Sequence, residues 1–153
     1  MKELPKIVLD TNILVSAMRS ASGPSFALIQ VIRANHFRMC SSPALFLEYE
    51  DVLKRPEQLQ ASGLTLDDID DILADLAHHI QPVTTHYQWR PQLRDPSDEM
   101  VLEAAVNAGA QAIVTYNLND FKPATNFGIP VFNPEQTFKH FQLRKPAMKG
   151  KTP

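Results

Sequence analysis

The side chains of this sequence that could do chemistry are carboxylates. Asp10 ends the short apolar run Lys6-Ile7-Val8-Leu9 and is followed by Thr11-Asn12. Glu48, Glu50 and Asp51 lie in a segment of helical spacing that starts after Ser42-Pro43. Asp95-Pro96-Ser97-Asp98 opens another, and Asn117 and Asp120 follow Thr115 in the run Thr115 to Phe121. An acid that ends an apolar strand is costly to bury unless a cation or a set of donors compensates it. Several carboxylates on one edge repel one another and hold protons unless a divalent cation sits among them. Oxygen-rich sets of this kind suit Mg²⁺ or Mn²⁺. Such ions activate water and stabilise the leaving oxygen in phosphodiester hydrolysis.

Other candidate motifs fall away. The five histidines show no HExxH or paired spacing. The acidic run Asp67, Asp68, Asp70, Asp71 and Asp75 lacks the glycine and terminal glutamate of a calcium loop, and its helical period marks a solvated face. Gly150-Lys151-Thr152 resembles the end of a phosphate loop, but Lys145 stands where its first glycine belongs. No Gly-x-Ser-x-Gly or Cys–His arrangement points to covalent catalysis.

The elements that must position the acids are short strands alternating with helices. Apolar runs at 6–10, 37–41, 80–84, 111–115 and 129–132 read as strands. Helix starts are expected at Ser42-Pro43, at Thr65 with Asp68, at Asp95-Pro96, and at Asn133-Pro134 with Gln136, and Gly109 closes the third of these. Leu66, Ile69, Ile72, Leu73, Leu76 and Ile80 form one apolar face. This alternation implies an α/β layer around a mostly parallel sheet, whose ligands bind at the carboxyl ends of the strands. Asp10, Asn117 and Asp120 fall at such ends. On the helix after Ser42, Leu45, Tyr49, Val52 and Leu53 define the buried face. Glu48 and Glu50 flank it about equally, so periodicity does not choose between them.

At 153 residues the chain suits one domain, read as 1–142 followed by a flexible basic tail, 143–153. The formal net charge of −2 excludes a polycation. It conceals an acidic body, since all five charged residues from Lys139 onward are basic and residues 1–138 carry ten basic against seventeen acidic side chains. The single Cys40 excludes an internal disulfide. With no apolar run near the ~20 residues of a membrane span and no signal-peptide pattern, a cytoplasmic location is expected.

The runs Ile7 to Asn12, Ser41 to Leu53 with Glu48, Asp95 to Asp98 and Thr115 to Phe121, in this order, resemble the PIN-domain family, and more narrowly the VapC-type toxins of toxin–antitoxin pairs. The resemblance covers roughly residues 5–135. It implies a three-layer α/β/α fold with a central, mostly parallel sheet of four to five strands. It also implies Mg²⁺- or Mn²⁺-dependent endonucleolytic cleavage of RNA, a cognate antitoxin and a homodimer. Carried over to this sequence, the catalytic acids are Asp10, Glu48, Asp98 and Asp120, and the resemblance favours Glu48 over Glu50. The metal ligands are these four with Asn117, which stands where many members carry an aspartate. Asn12 and Thr115 resemble the small polar residues that hold the acids or the attacking water by hydrogen bonds. Arg19, Arg90, Arg94, Lys122 and the tail are candidates for phosphate contacts, and Tyr87, Trp89 and Tyr116 for base stacking.

Plainer roles exist for the same acids. Asp10 could cap the following helix, Asp98 could serve a helix N-terminus, and Asp120 could be a turn residue. A phosphatase with Asp10 as nucleophile would need a second aspartate where Asn12 stands. The non-enzymatic alternative is a PIN-like RNA- or protein-binding module whose metal site is weakened at Asn117.

Overall fold

The computed structural model describes residues 3–85, 93 and 95–146. Among these residues, five parallel strands form one sheet: β1 (Lys6–Leu9), β2 (Arg38–Ser41), β3 (Ile80–Pro82), β4 (Ala112–Val114) and β5 (Val131–Phe132), in the order β3-β2-β1-β4-β5. Ile7, Val8 and Leu9 are all fully buried. A continuous apolar run is what a central parallel strand covered on both faces requires.

Among the described residues, seven α-helices make the outer layers of this α/β/α arrangement: α1 (Thr11–Arg19), α2 (Pro24–Arg33), α3 (Pro43–Leu53), α4 (Pro56–Ser62), α5 (Leu66–Ala77), α6 (Pro96–Ala108) and α7 (Pro134–His140). The expected caps form. Ser42 Oγ accepts from the Leu45 amide at 3.2 Å, and capping boxes join Thr65 with Asp68 and Asn133 with Gln136. Gly109 ends α6 at φ 64°, a left-handed conformation that glycine adopts without a Cβ penalty. α5 buries Ile69, Leu73 and Leu76 as its period predicts, but Leu66 is exposed. It occupies the first position of the helix, beyond the reach of the packed face.

Residues Leu118–Phe127 form a 3-10 stretch that includes Pro123, a segment the sequence reading assigns to no element. Near the end of the described residues, the Leu143 amide donates to the Phe138 carbonyl at 2.9 Å and Lys145 Nζ lies 2.7 Å from Glu135 Oε1. No helix among the described residues is long and apolar enough to cross a membrane.

From β1 the sheet grows through β2 to β3 on one side, and through β4 to β5 on the other. The connections leaving β1 and β4 therefore diverge, and the crevice between their carboxyl ends is the topological switch point where such sheets bind ligands. Leu9 and Val114 are register partners there, and the Asp10 amide donates to the Val114 carbonyl at 2.9 Å.

Candidate functional site

Asp10 sits at the N-cap position of α1, yet its side chain makes no capping hydrogen bond. Instead its Oδ2 accepts from the Thr115 hydroxyl at 2.7 Å, across the crevice. Thr115 is fully buried, and its Oγ1 also accepts from the Asn117 amide at 3.0 Å and from Asn12 Nδ2 at 3.4 Å. Asn12 Oδ1 in turn accepts from the Tyr116 amide at 3.4 Å. One hydroxyl thus ties together the ends of β1 and β4 and sets the Asp10 carboxylate.

α3 flanks the end of β1. The hydroxyl of fully buried Tyr49 donates to the Leu9 carbonyl at 2.6 Å, which pins the helix to the end of β1. Glu48 is the neighbouring residue. Glu50 and Asp51 are occupied elsewhere, Glu50 with Lys54 at 2.8 Å and Asp51 with Arg55 at 2.9 Å. Glu48 has no ion pair among the described residues. Burial raises its carboxyl above the usual range, Arg55 pulls it back, and the charges of Asp51, Asp95 and Asp10 push it up again.

α6 supplies the remaining wall. Asp95 caps it through Oδ1, accepting from the Ser97 amide at 2.8 Å. Asp98, one turn in, is buried, and no capping box engages it. Its carboxyl is pushed up to about 7, first by burial and then by the charges of Asp10, Asp95, Asp120 and Glu99. Asp10 is raised as well. Burial is the main cause, opposed by the Thr115 hydroxyl and the Thr11 amide and reinforced by Asp95 and Asp120. Exposed Asp120 lies at the start of the 3-10 stretch, beside exposed Asn117.

The structure therefore brings Asp10, Asn12, Thr115 and Asn117 into one hydrogen-bonded group. Glu48, Asp98 and Asp120 lie within electrostatic reach of Asp10. None of these four acids has a salt bridge among the described residues. The sequence reading missed the second role of Asp95, which caps α6 while its charge acts on Asp10, Glu48 and Asp98. It also missed that α6 buries Glu99 and Glu103. Glu99 Oε1 accepts from the Leu93 amide at 2.7 Å and so holds the chain just before the helix. Of the expected RNA contacts, Arg19 is bonded to Gln58 Oε1 through Nε and Nη2. Tyr87, Trp89, Arg90 and Arg94 lie outside the described residues, as does the tail from residue 147.

A family model of the PIN domain matches residues 6–119, from the first residue of β1 to the turn after β4. The chain belongs to the PIN-domain family. Comparison with curated proteins gives no match. PIN domains are generally nucleases that bind RNA and use divalent metal ions. In this PIN domain no three acidic, histidine or cysteine side chains among the described residues stand close enough to share one ion. The acids are gathered on one edge of the sheet. The donor set nevertheless fits a hard divalent cation. Its atoms are oxygens, Asp10 and Asp98 are desolvated, and no basic side chain among the described residues offsets their charge.

Proposed function

We propose that this PIN domain is a Mg²⁺- or Mn²⁺-dependent endoribonuclease that acts in the cytoplasm as the toxin of a toxin–antitoxin pair. The observation that carries the nuclease reading is the uncompensated acidic edge at the switch point, with the Asp98 carboxyl raised to about 7 by burial and by its acidic neighbours. Such an edge is unfavourable for the fold alone and is retained where a cation is bound. Asp10, Glu48, Asp98 and Asp120 would hold the ion, with the Asn117 carbonyl as a neutral fifth donor. When bound, the ion lowers the pKa of a water and neutralises charge on the phosphate.

The chain's own residues do the rest. Thr115 holds Asp10 in place through its hydroxyl, and Asn12 and the Asn117 amide hold Thr115. Tyr49 fixes the helix that carries Glu48. Asp98 holds a proton near neutral pH, so cation binding competes with that proton. The toxin role, the cognate antitoxin that would block this edge, and a homodimer rest on the resemblance of the four sequence runs to VapC-type toxins.

One observation favours a second reading, a binding module with a weakened metal site. Asn117 contributes no charge, and no ready-made trio of ligands exists among the described residues. The two are separated by incubating purified protein with single-stranded and tRNA-like RNAs in Mg²⁺, in Mn²⁺ and in chelator, beside Asp10→Asn. Metal-dependent cutting that the variant loses supports the nuclease. RNA binding without cutting in either metal supports the module. Growth arrest on expression of the chain alone, relieved by a small protein encoded beside it, tests the toxin role.

A further inference from the structure

Tyr116 is oriented against the habit of its residue type. Tyrosines usually bury the ring and leave the hydroxyl in water. Here the hydroxyl is 2.5 Å from the Oγ of Ser25, a completely buried residue of α2, while Tyr116 remains 42% exposed. The polar tip is tied to a buried hydroxyl although the residue keeps a large exposed surface. A buried serine hydroxyl needs a partner, so this bond also serves Ser25, ninety-one positions away in the chain.

Its position is as informative as its orientation. Tyr116 follows Thr115, the residue bonded to Asp10, and its amide donates to Asn12. With Asn117, Leu118, Asn119 and Asp120 it lines a hollow of about 440 Å³ at the acidic edge. That volume is within the range of small-ligand sites. The hollow offers an aromatic face, two side-chain amides that can both donate and accept, and a carboxylate. Aromatic faces bind unstacked bases, and amides can read their exposed edges.

We propose that the Tyr116 ring is the seat of an unpaired RNA base next to the scissile phosphate. Ser25 sets the ring's angle, and Asn119 is available to the edge of the base. A base inside a duplex cannot reach the ring, so the seat takes only an unpaired base. The proposal deepens the nuclease reading and rests on it.

The test uses the full chain and a short single-stranded RNA carrying 2-aminopurine, whose fluorescence is quenched on stacking. Asp98→Asn serves as a non-cleaving background for binding. Saturating protein is expected to quench the probe. Tyr116→Phe keeps most of the quench, whereas Tyr116→Ala and Tyr116→Leu lose it and weaken binding by about ten-fold, within the range of one base–aromatic stack. In the cleaving protein, Tyr116→Leu raises KM for single-stranded RNA by a similar factor and leaves kcat within about three-fold. Ser25→Ala gives a smaller rise in KM with the quench only partly lost. Equal quenching and equal KM in Tyr116→Leu and in wild type, with the variant folded by circular dichroism, overturn the proposal. Quenching that depends on Tyr116 in a protein that cuts no RNA keeps the base seat and overturns the nuclease reading alone.

Discussion

At the scale of single residues, the acidic edge is a set of charges the fold holds at a cost, and Asp98 shows it most clearly. Burial and its acidic neighbours push its carboxyl up to about 7 in the folded protein, from the ordinary aspartate value of about 4. The folded state therefore binds a proton that the unfolded chain has lost between about pH 4 and 7. By linkage, stability of the metal-free protein falls as pH rises through that window and levels above it. Asp98→Asn removes the charge and keeps the shape. It is expected to leave stability unchanged near pH 4 and to raise it at pH 8 by about 1–2 kcal/mol, a figure discounted for water at the site. Thermal melts at the two pH values check this, and a variant equally stable with wild type at pH 8 contradicts it. The same substitution is expected to abolish metal-dependent cleavage. Thr115→Val probes the opposite kind of residue. It deletes the buried hydroxyl that donates to Asp10 and accepts from the Asn117 amide. A stability loss of about 1–3 kcal/mol follows from the polar partners left unpaired, with cleavage reduced ten-fold or more, measured by denaturant titration and by initial rates.

At the scale of elements, the positions of strands and helices were legible because their signals are local. Ser42-Pro43, Thr65 with Asp68, and Asn133 with Gln136 announce helix starts through side chains that bond three residues away. β1 is legible because a central parallel strand must be apolar throughout. The 3-10 stretch Leu118–Phe127 was not, since Pro123 interrupts any helical period. The choice between Glu48 and Glu50 was open in the periodicity of α3. What distinguishes them is tertiary, namely that Lys54 bridges Glu50 to Asp70 of α5. The Ser25–Tyr116 bond joins α2 to the turn after β4, and no local pattern announces it. Asp95 combines both kinds of information, as its capping role was readable and its action on three other acids was not. Replacing it separates the two. Asp95→Ala loses the cap and costs about 1 kcal/mol, partly offset by relieved repulsion. Asp95→Asn keeps an oxygen for the Ser97 amide and removes the charge. It is expected to lower the carboxyl titration of Asp98 and to preserve or raise the melting temperature at pH 8. Carbon-detected NMR titration of the Asp98 carboxyl reads the first, and an unshifted Asp98 contradicts it.

At the scale of the whole molecule, the parallel sheet puts the ends of β1 and β4 side by side, and the acids inherit a shared edge from that topology. A cation that binds the folded chain and not the unfolded one stabilises it by RT ln(1 + [L]/Kd), about 2.7 kcal/mol at one hundred times Kd. Because the ion must displace the proton on Asp98, this gain is expected to be full above pH 8 and to fade below pH 6. Melting curves with and without Mn²⁺ at the two pH values measure it, and Asp10→Asn should remove most of the difference. A gain that is independent of pH, or retained in Asp10→Asn, places the ion elsewhere. RNA brings the opposite problem to the same molecule. Residues 1–138 carry a net charge of −7, so the body repels a polyanion, while every charged residue from Lys139 onward is basic. Of these, Lys145 already faces Glu135, and Lys149 and Lys151 are two further candidates for phosphate contacts. If they make them, each neutralised phosphate contributes about 0.7 to the slope of log K against log salt for a single strand. Truncation after Pro146 is then expected to weaken binding of single-stranded RNA at low salt and to reduce that slope by roughly 1.4. Its kcat at saturating RNA should stay unchanged, since the acids are untouched. An unchanged slope would mean that the phosphates are met by basic residues of the body alone, despite its net negative charge.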